Sequence, residues 1–421
     1  MKVLLAGSGG REHALAWKIS QSPKVTRLVC APGHAGIAQV AECVAVKADD
    51  IDGLVALATG FDFVVVGPEQ PLALGLVDKL QDKNIRVFGP NQAAAQLESS
   101  KAFAKDFCRR YSIPTADYGV SEDLESALEF LETMTAPYVV KADGLAAGKG
   151  VVIAETRDTA EAELGEYFSG KFGKASQRVV IEEFMTGQEI SFFAISDGKN
   201  ALPLIGAQDH KRAYNGDKGP NTGGMGAYSP VPGFGELERD CVMSRIIQPT
   251  MDGMARDGHP FVGVLFAGLM MTSGGPKVIE YNVRFGDPEC QVLMRRLDSD
   301  LMDILLAAEA GELSSCEPPT WSKDPVVNVV LATRGYPGSY EKGSIIRGLA
   351  AASNMGNVEI FHAGTSKNAS GEIIAAGGRV LNVTTSGKTL GEAVDLAYSV
   401  IDNNIDWPEG FSRRDIGCHA L

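Results

Sequence analysis

The sequence predicts a multidomain protein that combines α/β and α+β architecture. In residues 1–100, short apolar runs alternate with helical stretches and end in Gly or Pro turns, as expected for the βαβ units of a parallel sheet. Residues 101–320 predict a larger domain of mixed helices and strands, with a smaller subdomain at about 115–185. After the linker-like Glu317-Pro318-Pro319, residues 321–421 predict a small β-rich domain.

The predicted strands indicate where a ligand would bind. The apolar runs of the first domain predict strands at Lys2–Ala6, Leu28–Ala31, Phe63–Val66 and Arg86–Phe88. Ligands of parallel sheets bind beyond the carboxyl ends of the strands, so the turns after these four runs are candidate site positions. A helix is predicted over Glu98–Tyr111, where the chain leaves the first domain.

Size and composition argue against several classes of protein. The chain has 421 residues, of which 44% are hydrophobic and 22% charged, which is ordinary for a globular protein. Its formal net charge of −14 disfavours nucleic acid as a partner. The longest apolar run near the start, Val3 to Ala6, is too short for a signal peptide or membrane span, so we expect no membrane partner and a cytoplasmic location. Seven scattered cysteines without a C-x-x-C pair predict reduced thiols.

A glycine-rich turn follows the first predicted strand. Gly7-Ser8-Gly9-Gly10 precedes Arg11 and Glu12, a pattern that indicates phosphate at a helix N-terminus, with Arg11 as a further partner. The dinucleotide fingerprint requires glycine where Glu12 stands and an acid where Ala31-Pro32-Gly33 is found, which argues against NAD. A tight turn with a solvated arginine is the alternative interpretation.

A second glycine-rich segment runs from Lys141 to Gly150. A lysine at the end of a strand, three glycines and a second lysine, Lys149, suit a flexible lid over a polyphosphate, because glycine admits backbone N–H groups and lysine neutralises charge. The segment is not a Walker A sequence, and an ordinary Gly-rich turn is the alternative.

A weaker signal follows at Glu182-Glu183-Phe184. A strand that leaves into this segment is typical of a hinge between subdomains, where an adenine could pair with main-chain groups. Glu189 could accept hydrogen bonds from ribose hydroxyls. A solvated acidic pair is the more common explanation of such a sequence.

The most informative segment is the predicted strand Lys277–Phe285. Its period of two places Glu280, Asn282 and Arg284 on one face. The opposite face is predicted to carry Ile279, Tyr281, Val283 and Phe285. Carboxylate and amide oxygens are ligands for Mg²⁺, and the guanidinium could hold a phosphoryl oxygen. A solvent-facing sheet edge is the alternative.

The segment 208–230 is irregular and rich in Gly and Asn, and its length predicts a functional or mobile loop. Its polar groups, which include Asp209, His210 and Lys211, indicate a substrate loop rather than a core element. For His210, a structural or hydrogen-bonding role is the more common one.

Together, these motifs resemble the glycinamide ribonucleotide synthetase family of ATP-grasp ligases. The resemblance covers essentially the whole chain and rests on GSGGREHAL, GPEQPL, KADGLAAGKG, QDHKR, GPNTGGMGAYSP, VIEYNVRFGDPE and AAGGRVLNV, in this order. It implies an N-terminal pre-ATP-grasp domain, a two-part ATP-grasp core with a mobile lid, and a C-terminal domain.

The resemblance implies ATP-dependent ligation of glycine to 5-phosphoribosylamine in purine biosynthesis. Glycine would attack the γ-phosphoryl group, and the amine would capture the resulting glycyl phosphate, with release of ADP, phosphate and glycinamide ribonucleotide. The implied partners are these small molecules, with Mg²⁺ or Mn²⁺, and the chain is expected to be a monomer or weak dimer.

The resemblance also implies roles for individual residues. The ATP-binding residues would be Lys101, Lys141, Gly144, Gly148, Lys149, Glu182, Phe184 and Glu189, and the metal ligands Glu280 and Asn282. The catalytic residues would be Arg284, Lys211 and Asp209. The residues on the substrate side would be Gly10, Arg11, Glu12, Pro32, Gly33, Glu69, Gly224, Met225 and Asp287.

One departure from the family pattern and three other functions remain to be considered. Gln188 stands where the family usually has the first of two acids after Gly187, although the second acid, Glu189, is present. One alternative is another ATP-grasp carboxylate–amine ligase or a biotin-carboxylase-like enzyme. The others are a nucleotide-binding regulator, which does not need the polar face of Glu280, and an NAD dehydrogenase, against which Glu12 argues.

Overall fold

The computed structural model describes residues 1–146 and 150–421. The strands, in chain order, are β1 (Lys2–Gly7), β2 (Arg27–Pro32), β3 (Glu42–Cys43), β4 (Phe63–Val66), β5 (Val87–Phe88), β6 (Tyr118–Ser121), β7 (Tyr138–Ala142), β8 (Val151–Ala154), β9 (Val179–Glu183), β10 (Gln188–Asp197), β11 (Ala201–Pro203), β12 (Gln208–Asp209), β13 (Arg212–Tyr214), β14 (Lys218–Asn221), β15 (Gly226–Ser229), β16 (Val262–Thr272), β17 (Gly275–Asn282), β18 (Val326–Thr333), β19 (Val358–His362), β20 (Thr365–Lys367), β21 (Ile373–Ala375), β22 (Arg379–Ser386) and β23 (Gly410–Phe411).

The helices connect and cover these strands. In chain order they are α1 (Gly10–Ser20), α2 (Ile51–Ala58), α3 (Glu69–Ala73), α4 (Leu76–Gln81), α5 (Gln96–Ser99), α6 (Lys101–Arg110), α7 (Leu124–Glu132), α8 (Arg157–Phe168), α9 (Glu236–Val242), α10 (Gln248–Arg256), α11 (Glu289–Arg296), α12 (Leu301–Ala310), α13 (Leu349–Ser353) and α14 (Leu390–Asn403). None of the described helices has both the length and the apolar character needed to cross a membrane.

The first five strands form a parallel sheet in the order β3-β2-β1-β4-β5. Central β1 is buried from Val3 to Gly7, which explains its continuous apolar sequence. The predicted parallel sheet is confirmed, and only the two-residue strand β3 has no counterpart in the prediction. Because the strands are parallel, the turns after β1, β2 and β4 lie at the same edge of the sheet.

Two antiparallel sheets follow. The sheet β6-β9-β7-β8 has its own apolar core with α7 and α8, and we refer to these elements (residues 118–183) as the lid. The second sheet, β11-β10-β16-β17, shares its cores with the N-terminal sheet, since Leu4 and Val64 lie in one cluster with Leu265 and Tyr281. The N-terminal sheet and this second sheet are therefore packed as one body.

The last sheet has the order β12-β15-β18-β22-β19, with β23 paired to β18. It takes β12 and β15 from the segment 208–230, which we expected to be irregular. That expectation is wrong for these short strands, whose Gly-rich sequence lacks the apolar alternation typical of a strand. Gly226 shows why: a Cβ there would lie 2.7 Å from the carbonyl oxygen of Asn328 on the neighbouring β18.

The predicted helix Glu98–Tyr111 is broken at Ser100, so the prediction of one continuous helix is wrong. Ser100 is extended (φ −139°, ψ 112°), and its Oγ accepts from the Phe103 amide at 3.1 Å, which caps α6. The same Oγ donates to Asp143 Oδ1 at 2.9 Å. The break therefore starts a new helix at Lys101, directly beside the lid.

The predicted alternation along β17 is interrupted by a bulge. Leu269 pairs with Val278, whereas the preceding Gly268 pairs with Glu280, so Ile279 has no partner in the register. Val278, not Ile279, packs in the core with Tyr281. The predicted position of Ile279 on the apolar face is thus wrong, and the strand ends at Asn282 rather than at Phe285.

We expect Ser100→Ala to lower the free energy of unfolding by about 1 kcal/mol, because it removes the cap of α6. The free energy would be measured by urea titration. Ser99→Ala is a matched control, since Ser99 is the last residue of α5, and it should change stability by less than about 0.5 kcal/mol. Equal losses in the two variants would contradict the capping role.

Candidate active site

Charged side chains from separate parts of the fold meet beyond the carboxyl edge of the N-terminal sheet. Arg11 comes from the first turn of α1, Glu69 from the start of α3, Glu98 from α5, and Arg284 from the segment after β17. The side chains of Arg11 and Arg284 are only 8% and 16% exposed. Burial of these two charges requires the partners that the acids supply.

Arg284 is the centre of this network. Its guanidinium donates to Glu98 Oε1 at 2.7 Å, to Asn282 Oδ1 at 2.9 Å and to Glu69 Oε2 at 3.3 Å. The second oxygen of Glu98 accepts from the Val283 amide at 2.7 Å. The guanidinium is therefore held in one orientation before any ligand binds.

Glu69 and Glu98 differ in electrostatics although both contact Arg284. Burial alone would raise the pKa of Glu69, but the charges of Arg284 and Arg11 lower it to about 2. For Glu98, burial outweighs the attraction of Arg284 and raises the pKa above its usual value. Glu69 thus stays ionised as the counter-charge of both arginines.

The turn at the start of α1 holds Arg11 and Glu12 against each other. Arg11 Nε donates to Glu12 Oε1 at 2.6 Å, and Glu12 Oε2 accepts from the Gly9 amide at 2.5 Å. A Cβ at Gly10 would lie 2.6 Å from Asn382 Nδ2 of β22, so this position has no room for a side chain. The turn is therefore packed tightly between the N-terminal and C-terminal sheets.

Glu280 lies among four cations. Burial alone would raise the pKa of its carboxyl group, but Lys211, Lys141, Lys101 and Arg284 together lower it, so it is ionised at neutral pH. On the same strand, Asn282 is 8% exposed and its Nδ2 has no hydrogen-bond partner among the described residues. An ionised carboxylate and a buried amide oxygen are suitable ligands for a divalent cation.

Two further acids lie together, Asp209 at the end of β12 and Glu289 at the start of α11. The carboxyls of Asp209 and Glu289 are both buried, and burial together with their mutual repulsion raises the pKa of Asp209 well above its usual value. Burial likewise raises the pKa of Glu289, whose Oε1 accepts from Ser191 Oγ at 2.8 Å. The Nζ of nearby Lys211 is paired with Glu189.

The lid contributes a second set of charges. Glu182 pairs with Lys141 at 2.9 Å and with Lys105 at 3.2 Å. Lys141 also donates to the carbonyl oxygen of Ile279 at 3.1 Å, which connects the lid to β17. Lys101 Nζ donates to the carbonyl oxygen of Gly144 at 3.4 Å. Lys101 from α6 and Lys141 from β7 thus lie near Glu280, whereas Lys105 pairs with Glu182.

The remaining predicted site residues lie in varied surroundings. Gly144 packs closely on Ala175, since a Cβ there would lie 2.9 Å from Ala175 Cβ. Phe184, after β9, is 39% exposed. Met225 is fully buried in the core of the C-terminal sheet, so its side chain lies away from the charged cluster. Gly148 and Lys149 lie outside the described residues.

Two substrate-side segments flank the network. Pro32 and Gly33 end β2, and Gly33 (φ +64°) contacts Cys43 so closely that a Cβ would lie 2.5 Å from its Sγ. Gly224 (φ +109°) passes beside Asp209, whose Oδ1 would lie 2.7 Å from a Cβ at this position. Both conformations favour glycine.

Arg379, from β22 of the C-terminal sheet, was absent from the predicted site. It donates to the carbonyl oxygens of Gly223 at 2.5 Å and Asp287 at 2.7 Å, and it pairs with Asp287 Oδ2 at 3.4 Å. Burial alone would raise the pKa of Asp287, but Arg379 and Arg11 lower it. The segment AAGGRVLNV contains Arg379, so a role for its cation could have been inferred.

Glu98, Lys105 and Glu289 were also missed. Each occupies a helix, where a charged residue is ordinarily solvated. Glu289 ends the segment VIEYNVRFGDPE and could have been inferred from it, whereas nothing in the sequence marked Glu98 as buried. Lys105 comes one helical turn after Lys101, and this spacing could have indicated that the two lysines lie on the same face of the helix.

Family models and relatives agree with this architecture. Residues 1–98, 99–290 and 326–419 match the N domain, the ATP-grasp (A) domain and the C domain of phosphoribosylglycinamide synthetase. The phosphoribosylamine–glycine ligase of Caulobacter vibrioides is 57% identical, with 100% of this chain and 99% of the relative covered. That of Xanthomonas axonopodis pv. citri is 51% identical, with 100% and 98% covered.

Solved structures give the same result. The crystal structure of phosphoribosylamine–glycine ligase from Thermotoga maritima matches with a TM-score of 0.87 and 33% identity, over 99% of this chain and 100% of that one. The biotin carboxylase domain of Hydrogenobacter thermophilus 2-oxoglutarate carboxylase, solved with MgADP and bicarbonate, matches with a TM-score of 0.77 at 16% identity, over 98% and 91%, and shares the fold. The chain therefore belongs to the phosphoribosylglycinamide synthetase family, with an ATP-grasp domain at its centre.

Proposed function

We propose that this chain is an ADP-forming carbon–nitrogen ligase that joins glycine to 5-phosphoribosylamine in purine biosynthesis. A glycine carboxylate oxygen attacks the γ-phosphorus of ATP, and ADP leaves. The amine nitrogen of phosphoribosylamine then attacks the carbonyl carbon of glycyl phosphate, phosphate leaves with the bonding electrons, and the nitrogen loses one proton. The observation that carries this proposal is the ionised Glu280, which lies near Asn282 on β17 and is surrounded by four cations.

Glu280 and Asn282 are the residues that would hold a divalent cation, Mg²⁺ or Mn²⁺. Such an ion, when bound, neutralises charge on the β- and γ-phosphates. Lys101, Lys141 and Arg284 bind the phosphate oxygens from other directions. Since Arg284 is already fixed by Glu98 and Glu69, little reorganisation is needed when negative charge develops.

The lid supplies the remaining nucleotide contacts. We assign the main chain at Glu182 and the exposed ring of Phe184 to the adenine, and Glu189 to the ribose. Glu182 holds Lys141 and Lys105 in place, so its side chain is already engaged without nucleotide. We assign Gly144, Gly148 and Lys149 to the phosphates, because glycine admits backbone N–H groups and lysine neutralises charge.

Asp209 and Glu289 are the residues we assign to the ammonium group of glycine. An ammonium group that arrives beside this buried pair favours its ionised form, which repays the cost of burial. Lys211, paired with Glu189 in the absence of ligands, is positioned to attract the glycine carboxylate toward the γ-phosphate.

Phosphoribosylamine is assigned to the edge of the N-terminal sheet. The N-terminus of α1 presents Gly10 and Arg11, which suit a phosphate. The loop at Pro32 and Gly33 and the charged groups Glu12, Glu69 and Asp287 surround this position. Gly224 and the main chain at Met225 complete the wall toward the glycine.

The proposed boundaries of the structural units follow the same assignment. We place the N-terminal domain at 1–100, the ATP-grasp domain at 101–320 with its lid at about 115–185, and the C-terminal domain at 321–421. The proposed partners are small molecules only, the proposed assembly is a monomer or weak dimer, and the proposed compartment is the cytoplasm.

The second candidate is a bicarbonate-activating carboxylase, favoured only by the shared fold with biotin carboxylase domains. The two functions are separated by phosphate release in the presence of ATP, Mg²⁺, glycine and phosphoribosylamine generated in place, with each component omitted in turn. Ligation predicts that omission of glycine abolishes release. Full release with bicarbonate in place of glycine would reject the proposed function.

We expect Glu280→Gln to lower kcat by at least about 100-fold, because the loss of a metal-holding carboxylate removes stabilisation of the transition state. The rate would be measured as ADP formation at saturating glycine, and the melting temperature would confirm folding. Glu359→Gln on β19 is the control, since that carboxyl is half-buried at a distance from the cluster. Comparable rates in both variants would remove the metal assignment.

We expect Glu289→Gln to shift the pH dependence of glycine binding to lower pH. The raised pKa of Asp209 reflects burial first and the charge of Glu289 second, so removal of that charge lowers the pKa of Asp209. Glycine affinity would be measured by calorimetry with ADP present, at a series of pH values. As the pH is lowered, the wild type should lose affinity first, and the variant should lose it only at a lower pH. At neutral pH the variant should bind glycine about 10-fold more weakly.

Glu359→Gln again provides the control, because burial also raises the pKa of Glu359 but no glycine site adjoins it. Its profile should coincide with that of the wild type. A Glu289→Gln profile that weakens at the same pH as the wild type would refute the paired carboxyls as the ammonium site.

A further inference from the structure

The C-terminal segment Arg413–His419, which we call the tail, lies against the stretch of chain that carries Asp209 and Lys211. Arg413 has a fully buried side chain at 0% exposure, although arginine is rarely buried without a partner. Its NH1 donates to the carbonyl oxygen of Arg212 at 3.1 Å and to Asp217 Oδ1 at 2.8 Å. The guanidinium therefore joins β13 to the turn of the hairpin β13–β14.

Asp415 completes the pairing of Arg413 from within the tail. It accepts from Nε and NH2 at 2.8 and 2.9 Å, a bidentate arrangement that fixes the plane of the guanidinium. Asp415 Oδ2 also accepts from the Gly216 amide at 2.7 Å, and the Arg414 amide donates to Asn215 Oδ1 at 2.9 Å. The turn of the hairpin is thus bound on both sides by the tail.

The tail also reaches His210, the residue that follows β12, directly. The Gly417 amide donates to His210 Nε2 at 3.0 Å, and His210 is the residue between Asp209 and Lys211. Its own main chain is fixed in the sheet, because its amide donates to Gly226 and its carbonyl accepts from Met225. His210 lies between β12 and β13, directly bonded along the chain to Asp209 and Lys211. A hold on its ring and on its main chain therefore limits the movement of both neighbours.

His210, Cys418 and His419 bring potential metal-ligand atoms within 4.8 Å of one another. His210 Nε2 already accepts the Gly417 hydrogen bond, so the neutral ring carries its proton on Nδ1 and leaves no free lone pair. Because His210 has no free nitrogen lone pair, we interpret this cluster as a structural contact between the tail and His210 rather than as a metal site.

The tail is itself anchored on α14. Tyr398 OH donates to the carbonyl oxygen of Arg413 at 2.9 Å and accepts from the Ile416 amide at 3.0 Å. Arg414 pairs with Asp402 at 2.6 Å and stacks on the Tyr398 ring. The side chain of Arg414 thus contacts α14, whereas the side chain of Arg413 contacts the hairpin.

We propose that Arg413 is a positioning residue, which fixes the segment 209–224 so that Asp209 and Lys211 meet the substrates. The inference rests on the proposed function, which places those two residues at the glycine site. Small displacements of positioned groups lower the rate without removing any catalytic group.

The test compares Arg413→Gln with Arg414→Gln, two neighbouring arginines of the same tail. Arg413→Gln should lower kcat/KM for glycine about 10- to 100-fold, with both a higher KM and a lower kcat. Arg414→Gln should stay within about twofold of the wild type. Affinity for ADP, measured by calorimetry, should change less than about threefold in either, because the tail contacts neither the lid nor β17 among the described residues.

Asp217→Asn keeps the proposal testable if Arg413→Gln does not fold. Asp217 is on the hairpin turn and 43% exposed, and its loss leaves the Arg413–Asp415 pair intact. It should lower kcat/KM for glycine about 3- to 10-fold and increase amide hydrogen exchange in 210–221, whereas Arg414→Gln should do neither.

Kinetic constants and exchange rates of Arg413→Gln and Asp217→Asn that match those of Arg414→Gln would overturn the positioning role. A wild-type chain without glycine-dependent ADP formation would instead reject the proposed function. In that case the exchange data would still decide whether the tail restrains the hairpin.

Discussion

The pairing of buried Arg284 with Glu98 and Glu69 is the constraint on which the rest of the structure depends. A guanidinium removed from water is costly unless its donors find acceptors, and here those acceptors come from α5 and from the turn after β4. Glu69 also lies 3.7 Å from Arg11 at the start of α1. The segment after β17 and the N-terminal sheet are therefore joined by the same charges that form the candidate site, so neither half presents the complete cluster alone.

The sequence predicted those parts of the fold and site that depend on local pattern. Apolar runs ending in Gly or Pro located the parallel strands, and the period of two grouped Glu280 with Asn282 and Arg284. The sequence-based prediction failed where a contact between residues distant in the chain decides the local structure. Ser100 ends a helix because its hydroxyl caps α6 and also donates to Asp143, and the bulge at Ile279 depends on the partner strand β16.

The charge of the whole chain is a poor guide to the charge of its site. A formal −14 coexists with a cluster of lysines and arginines around Glu280, several of which are neutralised by acids before a ligand arrives. Lys211 is held by Glu189, and Lys141 by Glu182. On the proposed assignments, incoming substrates would exchange one set of ion pairs for another, which limits the net electrostatic gain but keeps each cation in place.

The separate apolar core of the lid has a thermodynamic consequence. Tyr138, Leu164 and Tyr167 pack within the lid itself, whereas the described contacts of Lys141 with Ile279 and of Lys101 with Gly144 are polar. A rigid swing of this unit would keep that core buried, and the heat-capacity change of a transition follows the hydrocarbon it uncovers. The enthalpy of opening should consequently vary little with temperature. A van't Hoff plot of the equilibrium constant between the open and closed forms would then be nearly straight.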